Sequence, residues 1–179
     1  IFGETNKKVK SGDKPNPSSH YGLTKLLAEK LIQMYSENYN FSFYILRYFN
    51  VVGADYKLRV GPINQSGQLF KNLAISLNSK KKQINIYGKN YKTKDGSCIR
   101  DYIDVNDLSE IHINCLNSTL KDRSNIVNCG NGIGYSVLEI IEIFERISKK
   151  KYQKKIKNRR KGDVSEIVCA PSKNSKIKK

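Results

Sequence analysis

Apolar and polar positions alternate along this chain in runs that read as strands and helices in turn. "IFG" at 1–3 has the character of a strand's end, and "KSGDKPNPSS" at 10–19, with two prolines, a glycine and an aspartate, is a loop. From about Tyr21 to Asn38, residues Leu23, Leu26, Leu27, Leu31 and Met34 recur at helical spacing, which predicts a helix with an apolar face. "FSFYILRYF" at 41–49 reads as a buried strand, 53–67 as loop, and Leu69–Asn78 as a second helix. "QINIYG" at 83–88 is a short strand closed by glycine, and "KNYKTKDGSC" has the look of a hairpin turn carrying Asp-Gly. "IRDYIDV" at 99–105 is a strand leading into a helix to about Ser118, and "NIVNCG" at 125–130 is another strand. "SVLEIIEIFERIS" at 136–148 reads as a helix with Ser136 at its N-cap and Glu139 completing a capping box. Beyond it the chain is basic and mixed. Strands alternating with helices predict an α/β architecture with parallel pairing.

The glycine-rich exit "GNGIG" at 130–134 lacks the spacing of a dinucleotide-binding loop and follows a late strand, so it is read as a turn. A length of 179 residues suits one domain or parts of two, and 38% hydrophobic with 27% charged residues supports a buried core rather than disorder. The 33 Lys and Arg against 16 Asp and Glu give a formal +17, which favours anionic partners. The lysines are spread widely, however, with dense runs only at 80–82 and 149–161, and such runs are usually solvated faces. A nucleic-acid-binding module would interleave exposed aromatics with cations on one face, whereas most aromatics here follow core patterns. Four isolated cysteines without CxxC spacing, and two histidines, argue for reduced thiols rather than a zinc site. No apolar run approaches the roughly 20 residues that span a bilayer, and no signal peptide is visible.

One motif carries chemistry. In "PSSHYGLTKLLAEKL" at 17–31, Tyr21 and Lys25 are four residues apart at a helix start and share a face. A phenol titrates near about 10 and is a poor base at neutral pH. A nearby cation favours the phenolate, which can then take a proton from a hydroxyl while hydride leaves the same carbon. Taken alone, the motif reads more readily as a helix-start tyrosine with a solvated lysine, since the chain has 11 tyrosines and many lysines.

The blocks around it are more specific. "YGLTKLLAEKL" resembles the YGxSK or YGxTK helix of the extended short-chain dehydrogenase/reductase superfamily. "LRYFNVVGAD" at 46–55, "YKTKDGSCIRDYIDVNDLSEIH" at 91–112, "NCGNGIGYSVLEII" at 128–141 and "RRKGDVSE" at 159–166 resemble, in order, blocks of the UDP-glucose 4-epimerase family. The resemblance implies an α/β fold: the C-terminal part of an NAD(P)-binding Rossmann fold plus a smaller α/β substrate-binding domain. Residues 1–55 are then the remnant of the Rossmann domain. Residues 56–179 form mainly the UDP-sugar-binding domain, with some segments returning to the Rossmann sheet.

The resemblance also implies roles. Tyr21 is the general acid/base, and Lys25 holds the nicotinamide ribose of NAD and favours the phenolate. Phe49 contacts the nicotinamide region and Asn50 the substrate phosphates. Gln68 and Leu69 lie against the nucleotide. Asn85, Ile86 and Tyr87 line the uracil pocket, with Tyr87 in the stacking place. Arg100 and Arg160 clamp the diphosphate, as planar guanidinium forks suit it, and Asp163 holds the uridine ribose. Ile167 stands where side-chain bulk limits N-acetylated sugars. The implied reaction is NAD-dependent C4 epimerisation of UDP-glucose and UDP-galactose through a 4-keto sugar, by a cytoplasmic homodimer without nucleic-acid or membrane partners. A related nucleotide-sugar dehydratase or another UDP-sugar epimerase shares YxxxK, but RYFNVVGA argues against it.

Three departures stand out. The chain begins "IFGETNKKVK" and ends "SKNSKIKK", so it is expected to be a piece of a longer protein whose upstream part carries the glycine-rich NAD loop and the Ser/Thr of the triad. Alone it is expected to be inactive and poorly soluble, with the 41–49 strand an open edge. Asp104 replaces the family's usual histidine, and Ile167 is intermediate in bulk.

Overall fold

The computed structural model describes residues 1–5, 7–63, 67–118 and 125–170. The described elements run α1 (His20–Tyr39), β1 (Tyr44–Tyr48), β2 (Asn50–Val52), α2 (Leu69–Asn78), β3 (Gln83–Tyr87), β4 (Ile99–Asp104), α3 (Val105–Asn117), β5 (Asn125–Cys129), β6 (Gly134–Ser136), α4 (Val137–Ser148), β7 (Gln153–Lys157) and β8 (Glu166–Ile167). β1 pairs with β5, and β3 with β7, both in parallel. β4 is the hub of the third sheet: β2 and β8 lie parallel to it and β6 antiparallel.

The strand expected over 41–49 breaks at Phe49 for a visible reason. Its N–H donates to Cys129 O at 3.1 Å, ending the ladder with β5. The next residue, Asn50, registers with Tyr102 of β4. "YFN" is thus where the chain changes partners. The turn at 89–98 forms, with Tyr91 N–H donating to Gly96 O at 3.0 Å, but it closes no hairpin. β3 leaves it to pair with β7, and β4 to pair with β2, β6 and β8. Strands β6, β7 and β8 escaped the pattern. β7, "QKKIK", is exposed at all five positions, so no apolar alternation marks it.

Two apolar cores result. In one, α2 and α4 press Leu73, Ile140 and Ile141 against Ile84 and Ile86 of β3 and against Tyr152. Burying each such aliphatic side chain contributes roughly 1.5–3 kcal/mol. The second core joins Ile103, Leu108, Val127 and Cys129. α4 starts with the expected capping box: Ser136 Oγ accepts from Glu139 N–H at 3.0 Å, and Glu139 Oε2 accepts from Ser136 N–H at 2.7 Å. At its other end Glu145 is buried, accepting from Tyr152 N–H at 2.9 Å and pairing with Lys154 at 3.2 Å.

α1 forms where expected, with its apolar face uncovered. Its apolar residues Leu23, Leu27, Leu31 and Met34 are exposed, because no described residue covers that face. Only Gly22 and Glu29 are buried in the helix. Glu29 meets Arg47 of β1 through two parallel hydrogen bonds of 2.9 and 2.7 Å, both side chains nearly inaccessible. Arg47 also donates to Ser11 O at 2.9 Å and stacks its guanidinium 5.1 Å from the Phe2 ring centroid. The helix is therefore held by a charged bidentate clasp.

Breaking one half of such a buried pair leaves an uncompensated charge. Glu29→Ala is therefore expected to cost about 3–5 kcal/mol in urea unfolding, and Glu29→Met with Arg47→Leu to recover most of it. Equal stability of Glu29→Ala and the wild type would show that the clasp does not hold the helix.

Candidate functional site

A cavity of about 400 Å³ opens where α2, β3 and the 160–163 loop meet. That is within the usual size for small-molecule sites. Leu69 and Asn72 of α2, Gln83, Asn85 and Tyr87 of β3, Cys98, Arg160 and Asp163 line it. Period-two alternation explains the division within β3: Asn85 and Tyr87 face outward, while Ile84 and Ile86 are buried in the core. Ile86 thus sits in the core and is not among the residues lining the cavity. Gln68 is the N-cap position of α2 but makes no side-chain cap, and Leu69 behind it reaches the cavity wall.

Arg100 and Asp163 come together as an ion pair. Arg100 Nη2 donates to Asp163 Oδ1 at 2.7 Å and to Val164 O at 2.8 Å, and Nη1 donates to Ile99 O. Ile167 is in register with Arg100 across β8 and β4. Arg160 takes a different position: its guanidinium carbon lies 4.0 Å from the centroid of the Tyr87 ring. An aromatic face, an amide, a guanidinium and a braced carboxylate therefore converge on one cavity. The Cys98 thiol in its wall is pushed up by burial, so it stays neutral.

Two devices fix this geometry. Asp101, fully buried beside Arg100, accepts N–H groups from Asn131 and Gly132 at 2.8 Å and from Cys169 at 3.0 Å. Its carboxylate fills the concavity of the glycine-rich turn, which is the turn expected from its spacing. Asp104 caps α3, accepting from Asn106 N–H at 2.8 Å, and Asn106 Nδ2 donates onward to Ala54 O at 2.9 Å. Gly53, at φ +90°, has room for no Cβ against the Asp104 carboxylate. Asp104 in place of histidine thus works as a helix cap that holds the loop after β2.

Tyr21 and Lys25 sit on the first turns of α1, outside the cavity wall. Lys25 Nζ lies 5.2 Å from the Tyr21 ring centroid, and Tyr21 is 71% exposed. They share a face as expected, but it is an open face rather than a closed cleft. The helix start is tied to the cavity loop: Ser18 Oγ donates to Gly162 O at 3.3 Å, and a Cβ on Gly162 would come within 3.2 Å of Ser18 O. Phe49 is half-buried at the partner change between β1 and β2. Asn50 beside it donates from Nδ2 to Asp101 O at 3.2 Å, so its amide braces β4. Asn72, Gln83 and Cys98 were not anticipated as lining residues; for Gln83 the outward phase of β3 was the available signal.

Tyr21, Lys25 and Phe49 are the residues that would hold the ribose and nicotinamide end of a dinucleotide, through an exposed phenol and ammonium and a half-buried phenyl ring. They supply no cradle for its phosphates, and the N–H groups of the glycine-rich turn are taken by Asp101.

Residues 1–130 match the model of the NAD dependent epimerase/dehydratase family. A UDP-glucose 4-epimerase of Halalkalibacterium halodurans is 36% identical over 172 residues, 94% of this chain and 51% of that protein. A putative UDP-arabinose 4-epimerase of Arabidopsis thaliana is 34% identical, over 96% of this chain and 41% of its own length. The crystal structure of UDP-glucose-4-epimerase from Stenotrophomonas maltophila, with bound NAD and formylated UDP-arabinopyranose, superposes with a TM-score of 0.85 at 31% identity, covering 94% of this chain and 52% of that one. The chain spans about half the length of the curated relatives it matches.

The turn that delivers Cys98 and Arg100 carries a pH signature. Asp95 accepts from Ser97 N–H and Oγ at 2.8 Å and from the Ser136 hydroxyl. Burial pulls its carboxyl upward, but these hydrogen bonds outweigh it and hold it below its ordinary 3.8. The resulting stability is fully present above that ordinary value and is lost as pH falls through the folded one. Urea midpoints measured from about pH 5 to 2 are expected to fall more steeply for the wild type than for Asp95→Asn; parallel curves would remove this role.

Proposed function

The chain belongs to the NAD dependent epimerase/dehydratase family, and on that premise we propose that it carries the acid–base pair and the substrate site of a UDP-glucose 4-epimerase. The reaction is interconversion of UDP-glucose and UDP-galactose, in galactose metabolism. The observation that carries this reading is the cavity, where Tyr87, Asn85, Arg160 and the Arg100-braced Asp163 converge. An aromatic face suits a pyrimidine, an amide its polar edge, guanidinium groups a diphosphate, and a carboxylate the ribose hydroxyls.

In this reading the nucleotide is the anchor. Arg160 leaves the face of Tyr87 to meet phosphate oxygens, and Arg100 contributes from its position against Asp163. Tyr21 as phenolate removes the C4 hydroxyl proton and later returns it. Lys25 holds the nicotinamide ribose, with Phe49 against the ring. NAD, when bound, supplies the hydride acceptor. Because binding is concentrated on the uridine diphosphate, the 4-keto sugar is free to turn and present its other face. Asn50 and Leu69 position phosphate and nucleotide, and Ile167, beside Arg100, sets the room for the sugar. A UDP-pentose substrate is the second reading, favoured by the Arabidopsis relative, and comparison of kcat/KM for UDP-galactose and UDP-arabinose separates the two. Two copies meeting through the exposed apolar stripe of α1, in the cytoplasm, suit that stripe and the four buried free thiols. Turnover is expected to need more than these 179 residues; steady epimerisation by the purified chain with NAD would contradict this.

In an active full-length protein carrying this sequence, Tyr21→Phe is expected to lower kcat by about 100-fold or more while leaving UDP affinity unchanged. Arg160→Ala is expected to weaken UDP binding about 10-fold or more, as loss of a charge-assisted contact does. Isothermal calorimetry and a coupled assay read both. Near-normal turnover by Tyr21→Phe would remove the tyrosine from the chemistry.

A further inference from the structure

The registry of β3 and β7 places two lysines beside the cavity. Asn85 is paired with Lys155 and Tyr87 with Lys157 in the parallel ladder. Register partners project from the same face of a sheet, so Lys155 and Lys157 share the outward face of Gln83, Asn85 and Tyr87, three of the four β3 residues that line the cavity, and stand next to that lining rather than in it. Both are exposed, and among the described residues neither has an ion pair. Lys154, one step out of phase, is paired with Ile84 and is neutralised by Glu145 at 3.2 Å. The strand therefore spends one lysine on structure and leaves two uncompensated toward the site. Arg160 continues the row over the Tyr87 ring. At the other end, Gln153 N–H donates to Lys82 O at 2.9 Å, which brings the lysine runs 80–82 and 149–151 to the same end of the strand pair.

We propose that Lys155 and Lys157 are substrate-capture residues, a cationic strip that draws a nucleoside diphosphate along the β3–β7 face into the cavity. The proposal rests on the uridine diphosphate reading of the cavity. Exposed charges add little to equilibrium affinity in water. They do focus an anion's approach, and this acts on the association rate and falls with ionic strength. The strip differs from the general +17 of the chain because its effect is local: removing the same charge elsewhere leaves the approach intact.

Stopped-flow binding of a fluorescent UDP analogue to the full chain tests this, at ionic strengths from about 20 to 300 mM, across which screening changes several-fold. Lys155→Gln with Lys157→Gln is expected to slow association about 3–10-fold at low salt, flatten its salt dependence and leave dissociation unchanged. Lys7→Gln with Lys30→Gln, exposed lysines removed from an equal number of sites, is expected to change association far less. Lys155→Arg with Lys157→Arg keeps charge and strand alike and is expected to retain the wild-type rate, which guards against a folding defect in the neutral pair. An association rate unaffected by the neutral pair, or slowed equally by the control pair, overturns the strip while leaving the cavity reading in place. Absence of any UDP binding by the wild type overturns both.

Discussion

The Glu29–Arg47 clasp is the constraint on which the arrangement of the chemistry depends. A helix of 20 residues carries Tyr21 and Lys25 at its start, yet only Gly22 and Glu29 of that helix are buried. Apolar packing within the described residues does not orient it. The bidentate pair does, and it does so against β1, whose last residue precedes the Phe49 and Asn50 partner change. Buried ion pairs contribute little net stability over an apolar substitute, but their planar fork fixes distance and angle. What the clasp supplies is position: it sets Tyr21 and Lys25, the proposed acid–base pair, relative to the strand end where cofactor and phosphate contacts are proposed.

The rest of the molecule divides into a rigid anchor and an open face. The anchor is built from buried polar groups. Asp101 ties β4 to the glycine-rich turn and to Cys169, Arg100 ties β4 to Asp163, and Asp95 ties the preceding turn to the cap of α4. Each link fixes a residue in or next to the cavity. The open face is α1, where phenol and ammonium stand in solvent and the Ser18–Gly162 hydrogen bond joins the helix start to the cavity loop. A rigid cavity beside an open helix face suits the epimerisation proposed above, in which the nucleotide would be held and the sugar would turn.

The long helices were legible because apolar spacing and capping chemistry agree in them: α2 and the Ser136 capping box of α4 match the structure to the residue. The resemblance of five blocks placed the site residues in order, and the structure gathers Asn85, Tyr87, Arg160 and Asp163 around one cavity. What stayed hidden was hidden for physical reasons. β7 is exposed throughout and reads as a basic tail, since its pairing with β3 is backbone hydrogen bonding that leaves no apolar trace. The Asp-Gly turn looked like a hairpin because turn chemistry is local, while the choice of strand partner is not. The apolar spacing of α1 gave a helix, and its exposure follows because no described residue lies against that face.

The proposed site of the uridine diphosphate is the α2–β3–160 cavity and not another basic surface. Titration of isotope-labelled protein with UDP, followed by amide NMR, tests it most directly. Saturable shifts centred on Leu69, Asn85, Tyr87 and Arg160 to Asp163 are expected, with smaller changes at Ser18 to Lys25. Shifts centred on the far end of α4, or none at ligand concentrations that saturate such sites, would contradict it.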